Sequence, residues 1–167
     1  MRRGGSGFTE RMAGQTLSLL RIVAAILFFQ HGLQKWLGWP PGGHAPADWS
    51  PFSMWAIAAT LEFGGGILLF LGLFTRAVAF VLCGDMAFAY WFIHVPGAAG
   101  QPAGWMPAVN GGDLAILFCF VFLHLIAEGP GPFSLDQWLR ERKGRARPDK
   151  GARDGAPPSE MRRISAK

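Results

Sequence analysis

Sorted into hydrophobic and polar positions, the chain falls into four apolar blocks divided by short breaks. They run from Leu17 to Leu37, Phe52 to Phe74, Ala77 to Ile93, and Asp113 to Glu128. A helix needs roughly 20 apolar residues to cross a bilayer. The first two blocks reach that length, the third is shorter, and the fourth fits as a slightly mismatched span whose acidic ends reach the interface. Ser50 ahead of Pro51 predicts a helix start, with a capping hydroxyl and a proline where no N–H is needed. "VPGAAGQPAGWMP" from Val95 to Pro107 cannot continue a helix, and "EGPGP" from Glu128 stops the fourth one. The predicted fold is all-α: an integral membrane four-helix bundle with both termini cytoplasmic.

The direction follows from basic residues and tryptophans. Arg2, Arg3 and Arg11 precede the first span, Arg76 lies in the link between the second and third, and a basic tail follows the fourth. With four spans these places share one side, the cytoplasmic one. Trp36, Trp39, Trp49, Trp55, Trp91 and Trp105 fall at the opposite interface, as an aromatic belt does. Span one has a basic start but no small-residue cleavage site after it, so it reads as a retained helix rather than a signal peptide. The expected division is a cytoplasmic segment 1–16, a membrane domain 17–139 and a basic, disordered cytoplasmic tail 140–167.

Composition sharpens this picture. Half of the residues are hydrophobic, and from Leu17 to Ala127 the Asp, Glu, Lys and Arg are only Arg21, Lys35, Asp48, Glu62, Arg76, Asp85 and Asp113. The net charge of +5 comes mainly from the tail, where Arg140 to Lys167 holds ten of the sixteen Lys and Arg. A basic pI of that origin marks no nucleic-acid-binding face; it suits attraction to anionic lipid. Cys83 and Cys119 sit inside apolar blocks in no metal-like spacing, which predicts small packing residues rather than a disulfide or a metal site. A weak internal echo, "RIVAAILFF" against "RAVAFVLCG" and "GGGILLFLG" against "GGDLAILFC", hints at duplication of a two-helix unit.

Ionisable residues inside a span normally face the bundle interior and carry function. At 100° per residue Arg21, Ala25, Phe28, Gly32 and Lys35 line one slowly drifting face of span one. Glu62 lies well inside span two and precedes Gly64–Gly66, small residues that let another helix approach. His31, Lys35, Glu62, Asn110 and Asp113 share the outer half, as do Gln34 and His94, and are the candidate polar pocket. Arg21, Arg76 and Asp85 are expected to be structural charges, with Arg21 paired to Glu128 or to lipid phosphate. Plainer readings stand beside these. Lys35 and Asp113 can snorkel to the interface, His94 can be an interface residue, and Glu62 can form a structural ion pair with Arg21 or Lys35 instead of handling a ligand or proton.

Three segments carry a resemblance. "LLRIVAAILFFQHGLQKW", "LEFGGGILLFLGLFTRAVAF" and "NGGDLAILFCFVFLHLIAEGPGPFSLD" resemble, in this order, the first-helix, second-helix and fourth-helix motifs of the DoxX family of small four-helix membrane proteins. The resemblance covers roughly Leu17 to Leu139. Asp113 stands where the family often has Glu, and the family's ending of helix three is only partly kept as "IHVPGAAG". The resemblance implies a multi-pass protein of the bacterial inner membrane linked to quinone, thiol or sulfur redox chemistry. Some relatives are subunits of a thiosulfate:quinone oxidoreductase, and some associate with superoxide dismutase and a sulfurtransferase. The larger superfamily includes cargo receptors, so the fold does not fix a function. Carried over residue by residue, the family pattern singles out Arg21, His31, Lys35, Glu62, Arg76, Asn110 and Asp113.

No haem, flavin or iron–sulfur motif is present, so no covalent cofactor is expected, and electron chemistry would come from a bound quinone or a partner oxidoreductase. The competing readings are a non-catalytic scaffold or receptor for a partner protein, and a small proton or solute path. Whether the chain is an enzyme stays open on the sequence alone. The expected partners are the lipid bilayer and either a partner oxidoreductase or a second copy of the chain, with no nucleic acid.

Overall fold

The computed structural model describes residues 7–41, 50–97 and 101–145, and every regular element among them is helical. The helices are α1 (Gly7–Leu37), α2 (Met54–Leu71), α3 (Thr75–Ala89, continued as a π-helical turn over Tyr90–His94), the short α4 (Pro107–Asn110), α5 (Asp113–Glu128) and α6 (Leu135–Arg145). The chain divides into two units, Met1–Gln137 and Trp138–Lys167. In the second, the Arg142 guanidinium sits over the Trp138 ring, 3.9 Å from its centroid.

The boundaries show where local chemistry was legible. The helix at Asp113–Glu128 is where the apolar block placed it. α2 begins later than expected. Ser50 holds a preceding turn, its carbonyl accepting from Ser53 N–H, while the Ser53 hydroxyl caps the helix by accepting from Ala56 N–H. α2 ends at Gly72, whose φ of 67° lets it turn left-handed and donate to carbonyls of the last turn. α1 starts at Gly7, ten residues before the apolar block, because polarity alone does not end a helix when no Pro or capping break intervenes. The stretch from Arg140 to Arg145, expected to be disordered, is the charged C-terminal part of α6. Arg2, Arg3, Asp48, Trp49 and the tail after Arg145 lie outside the described residues.

Contacts define the packing. A Cβ built on Gly66 would meet Phe29, one on Gly32 would meet Phe63, and one on Gly72 would meet Arg21. Numbers rise on α1 as they fall on α2, so the two are antiparallel. Gly112 against Tyr90 and Cys119 against Cys83 make α3 and α5 antiparallel in the same way. Leu82 closes over Gly65 and joins α2 to α3. One end of the bundle therefore gathers the C-terminal ends of α1 and α3 with the N-terminal ends of α2 and α5. Trp36, Trp39, Trp91 and Trp105 are exposed at that end.

The distribution of side chains is that of a bundle solvated by lipid. Arg21, Ser18, Thr75, Glu62 and Asn110 are buried, while Leu19, Ile26, Phe80, Leu117, Phe120 and Leu123 are exposed. Among the described residues three helical stretches, Gly7–Leu37, Met54–Leu71 and Thr75–His94, are long and apolar enough to cross a membrane. α5 has 16 residues, about 24 Å at 1.5 Å per residue, against a hydrocarbon core of about 30 Å. The middle of the bundle is an aromatic cluster: Phe28 meets Phe122 edge-on with centroids 4.9 Å apart and Phe118 at 5.4 Å. Cys83 and Cys119 are free, with their sulfurs 3.5 Å apart across the α3–α5 contact.

Candidate functional site

The predicted stripe on α1 is real in three dimensions. Arg21, Ala25, Phe28 and Gly32 are buried and Lys35 is partly so. Gly32 has no side chain, and its Cα lies against the backbone of Glu62 and Phe63, where a Cβ would stand 2.9 Å from Glu62 C and 2.8 Å from Phe63 Cα. That approach, one turn before Lys35, brings the lysine within reach of Glu62. The Lys35 ammonium donates to Glu62 Oε1 at 2.5 Å, with the Lys35 side chain 23% exposed and that of Glu62 3%. The same ammonium lies 5.9 Å from the Trp55 ring centroid. Of the two ion-pair partners the sequence left open for Glu62, the fold selects Lys35.

The pair forms part of the wall of a cavity of about 960 Å³ among α1, α2, α3 and α5. His31 and Gln34 line it from α1, Phe52, Trp55 and Leu61 from α2 and the turn before it, Asp85 and Phe88 from α3, His94 from the π-helical turn, and Leu114 and Phe118 from α5. The lining is mostly apolar and aromatic, with few polar groups, the usual make-up of a small-molecule site. Gln34 Nε2 donates to Pro40 O at 2.9 Å, and His94 Nδ1 contacts Asn110 O at 3.2 Å. Glu62 Oε2 and Asp85 Oδ2 are buried without a hydrogen-bond partner among the described residues. π-helical turns recur at functional sites because the extra residue re-aims neighbouring side chains; here the turn carries His94 to the cavity.

The structure brings His31, Lys35 and Glu62 together and leaves Asn110 and Asp113 outside the lining. Asn110 is fully buried, but it holds the loop: its Nδ2 donates to Gly104 O at 2.7 Å and its Oδ1 accepts from Gly112 N–H at 2.8 Å. Beside it Tyr90 donates its hydroxyl to Trp105 O. Asp113 is exposed in the first turn of α5, where a carboxylate suits the helix dipole. Asp85, expected to be a structural charge, is instead a lining residue. Helical phase on a single span could not reveal this, because the cavity takes its walls from four helices.

Arg21 and Arg76 lie at the other end. Arg21 is fully buried and donates to the carbonyls of Pro130, at 2.8 Å, and Phe133, at 2.5 Å. This corrects the expected pairing with Glu128 or lipid phosphate. The Gly/Pro-rich chain after α5 presents free carbonyls that a guanidinium satisfies without desolvating a second charge. Ser18 accepts from Phe133 N–H at 3.2 Å, and the Asp136 carboxylate accepts from the N–H groups of Phe74 and Thr75, both at 2.9 Å. Asp136 thus caps α3 from outside and stabilises Phe74 at a φ of 51°. Its position in "SLD" was the available signal, since an acid soon after a helix-breaking run is well placed to cap. Arg76 is exposed and reaches Glu128 O at 3.4 Å.

Residues 16–95, which include α2, α3, most of α1 and both members of the ion pair, match the DoxX family. A Haemophilus influenzae protein described as uncharacterized is 44% identical over 131 residues, covering 76% of this chain and 92% of that protein. The chain belongs to the DoxX family. A second uncharacterized protein of the same organism is 30% identical over 140 residues, covering 77% of this chain and 86% of its own length. No solved structure matches the chain. Among the described residues of this DoxX protein, polar side chains make a clasp around Arg21 and Asp136, a loop anchor at Asn110, and a cavity wall with Lys35 and Glu62.

Proposed function

We propose that this DoxX protein spans the bacterial inner membrane four times, with both termini cytoplasmic, and that its cavity receives a quinone head group as the membrane component of a redox system. The observation that carries the reading is a cavity of about 960 Å³ whose aromatic wall holds the buried Lys35–Glu62 pair. α5 supports a fourth span because it packs along α3 and turns Leu117, Phe120 and Leu123 outward, an apolar surface that water would not tolerate at that density. If a reporter active only in the periplasm is fused after Lys167, no activity is expected, and a strong signal would reverse the orientation.

The residues present fit a quinone. Trp55, Phe52 and Phe118 offer aromatic rings, and the volume suits a head group with the start of its tail. A bound quinone supplies two-electron, two-proton chemistry; the chain supplies position and proton handling. Lys35 and His31 provide donors, and Glu62 is the carboxyl group best placed to accept or release a proton. The partner that exchanges electrons would be an oxidoreductase or another copy of this chain.

A second reading, a non-catalytic scaffold or receptor, draws on Arg21, Asn110 and Asp136, whose hydrogen bonds all hold the fold. Mass spectrometry of lipids co-purified in mild detergent separates the two. Quinone, in either redox form, is expected to be enriched over its share of the membrane. A wild-type preparation with no enrichment would leave the scaffold.

A further inference from the structure

We infer that the cavity is built for a head group that donates hydrogen bonds, so that it holds the dihydroxy, reduced form of a quinone in preference to the dicarbonyl form. This rests on the quinone reading and adds to it the redox form the site selects. The argument is a count of donors and acceptors. Donors are present on the wall: Lys35 gives one of its three N–H groups to Glu62, Gln34 gives one of its two to the Pro40 carbonyl, His94 meets the Asn110 carbonyl, and His31 lines the cavity. Two lining acceptors have no partner among the described residues, Glu62 Oε2 and Asp85 Oδ2. Glu62 is 2% exposed and both residues line the cavity, one from α2 and one from α3.

A buried carboxylate oxygen left without a donor is costly, and more so in a span where water is scarce. The protein has given Glu62 one donor, on Oε1, and none on Oε2. A quinone carries only carbonyl acceptors: it can accept from Lys35 or His31 but leaves Glu62 Oε2 and Asp85 Oδ2 unpaired. A quinol carries two O–H donors and satisfies acceptor oxygens, while its ring packs on the aromatic wall. The charges agree. One ammonium shares the wall with two carboxyl groups, and its ion pair is with Glu62. A donor-bearing guest relieves the acidic excess, and an acceptor-only guest adds to it.

The test is binding rather than turnover. Full-length protein in mild detergent is titrated calorimetrically without oxygen, using a decyl-tailed benzoquinone, its quinol, and the dimethyl ether of that quinol. The ether keeps the ring and tail and lacks both donors. The quinol is expected to bind at least about tenfold more tightly than the other two, the size expected for one hydrogen bond to a charged acceptor. In Glu62→Gln, Lys35 keeps an amide oxygen to donate to, and the amide NH2 turns toward the guest, so an acceptor becomes a donor. Quinol affinity then falls about tenfold and quinone affinity holds or rises. Asp85→Asn gives the same pattern from a different helix and covers the case in which the Glu62 variant folds poorly. Equal or tighter binding of quinone or ether, or variants that weaken all three ligands alike, overturns the preference while leaving the quinone site standing. Binding of none of the three removes the quinone reading and this inference with it.

Discussion

Lys35→Met is expected to destabilise the bundle by about 3 kcal/mol, the low end for removing one partner of a buried ion pair. The low end applies because the Lys35 side chain is 23% exposed and that of Glu62 3%. The loss comes less from the missing attraction than from what remains. Glu62 Oε2 already lacks a partner, and the substitution leaves Oε1 without its donor too. The double variant Lys35→Met/Glu62→Leu therefore recovers most of the loss, since it withdraws both charges from the interior. Chemical unfolding in detergent micelles, run as a double-mutant cycle, reads the coupling directly. If Lys35→Met cost less than about 1 kcal/mol, the level of a solvent-screened surface pair, the description of this pair as buried would be wrong.

Gly32→Val should be worse, because what it strikes is backbone. A Cβ at residue 32 falls within 2.8 Å of Phe63 Cα and 2.9 Å of Glu62 C. A crowded side chain can rotate away, but here α1 and α2 have to separate. Overpacking usually costs about 1–3 kcal/mol, and a clash that no rotamer relieves belongs at or above the top of that range. Parting the helices also draws Lys35 away from Glu62, so stability and the cavity fail together. Gly64→Ala and Gly84→Ala are the controls, since nothing lies within 4 Å of a Cβ at either position. Both should fold as well as the parent or slightly better, given the helix propensity of alanine. Size-exclusion profiles of detergent extracts check all three. A monodisperse Gly32→Val protein of normal yield would show that the two helices do not meet at this glycine.

The class of protein, the helical blocks and the inward stripe of α1 were legible from local sequence. Each of these depends on a local quantity: the free energy of placing a segment in lipid, the φ preferences of Gly and Pro, or the 100° step between side chains. The same quantities pointed to Lys35, His31 and Glu62 as polar residues at a common depth. Partners are another matter, because they depend on the distance between chain segments remote in sequence. Depth alone grouped Asn110 and Asp113 with the pocket, yet the fold turns Asn110 onto Gly104 and Gly112 and leaves Asp113 at the surface. Charge alone offered Glu128 to Arg21, and the fold supplies the carbonyls of Pro130 and Phe133. Asp85 was a lone acid in an apolar block until α3 placed it on the same wall as Glu62. Hydrophobic pattern is a property of one helix, whereas a cavity is a property of four, and only their packing decides which polar groups share it.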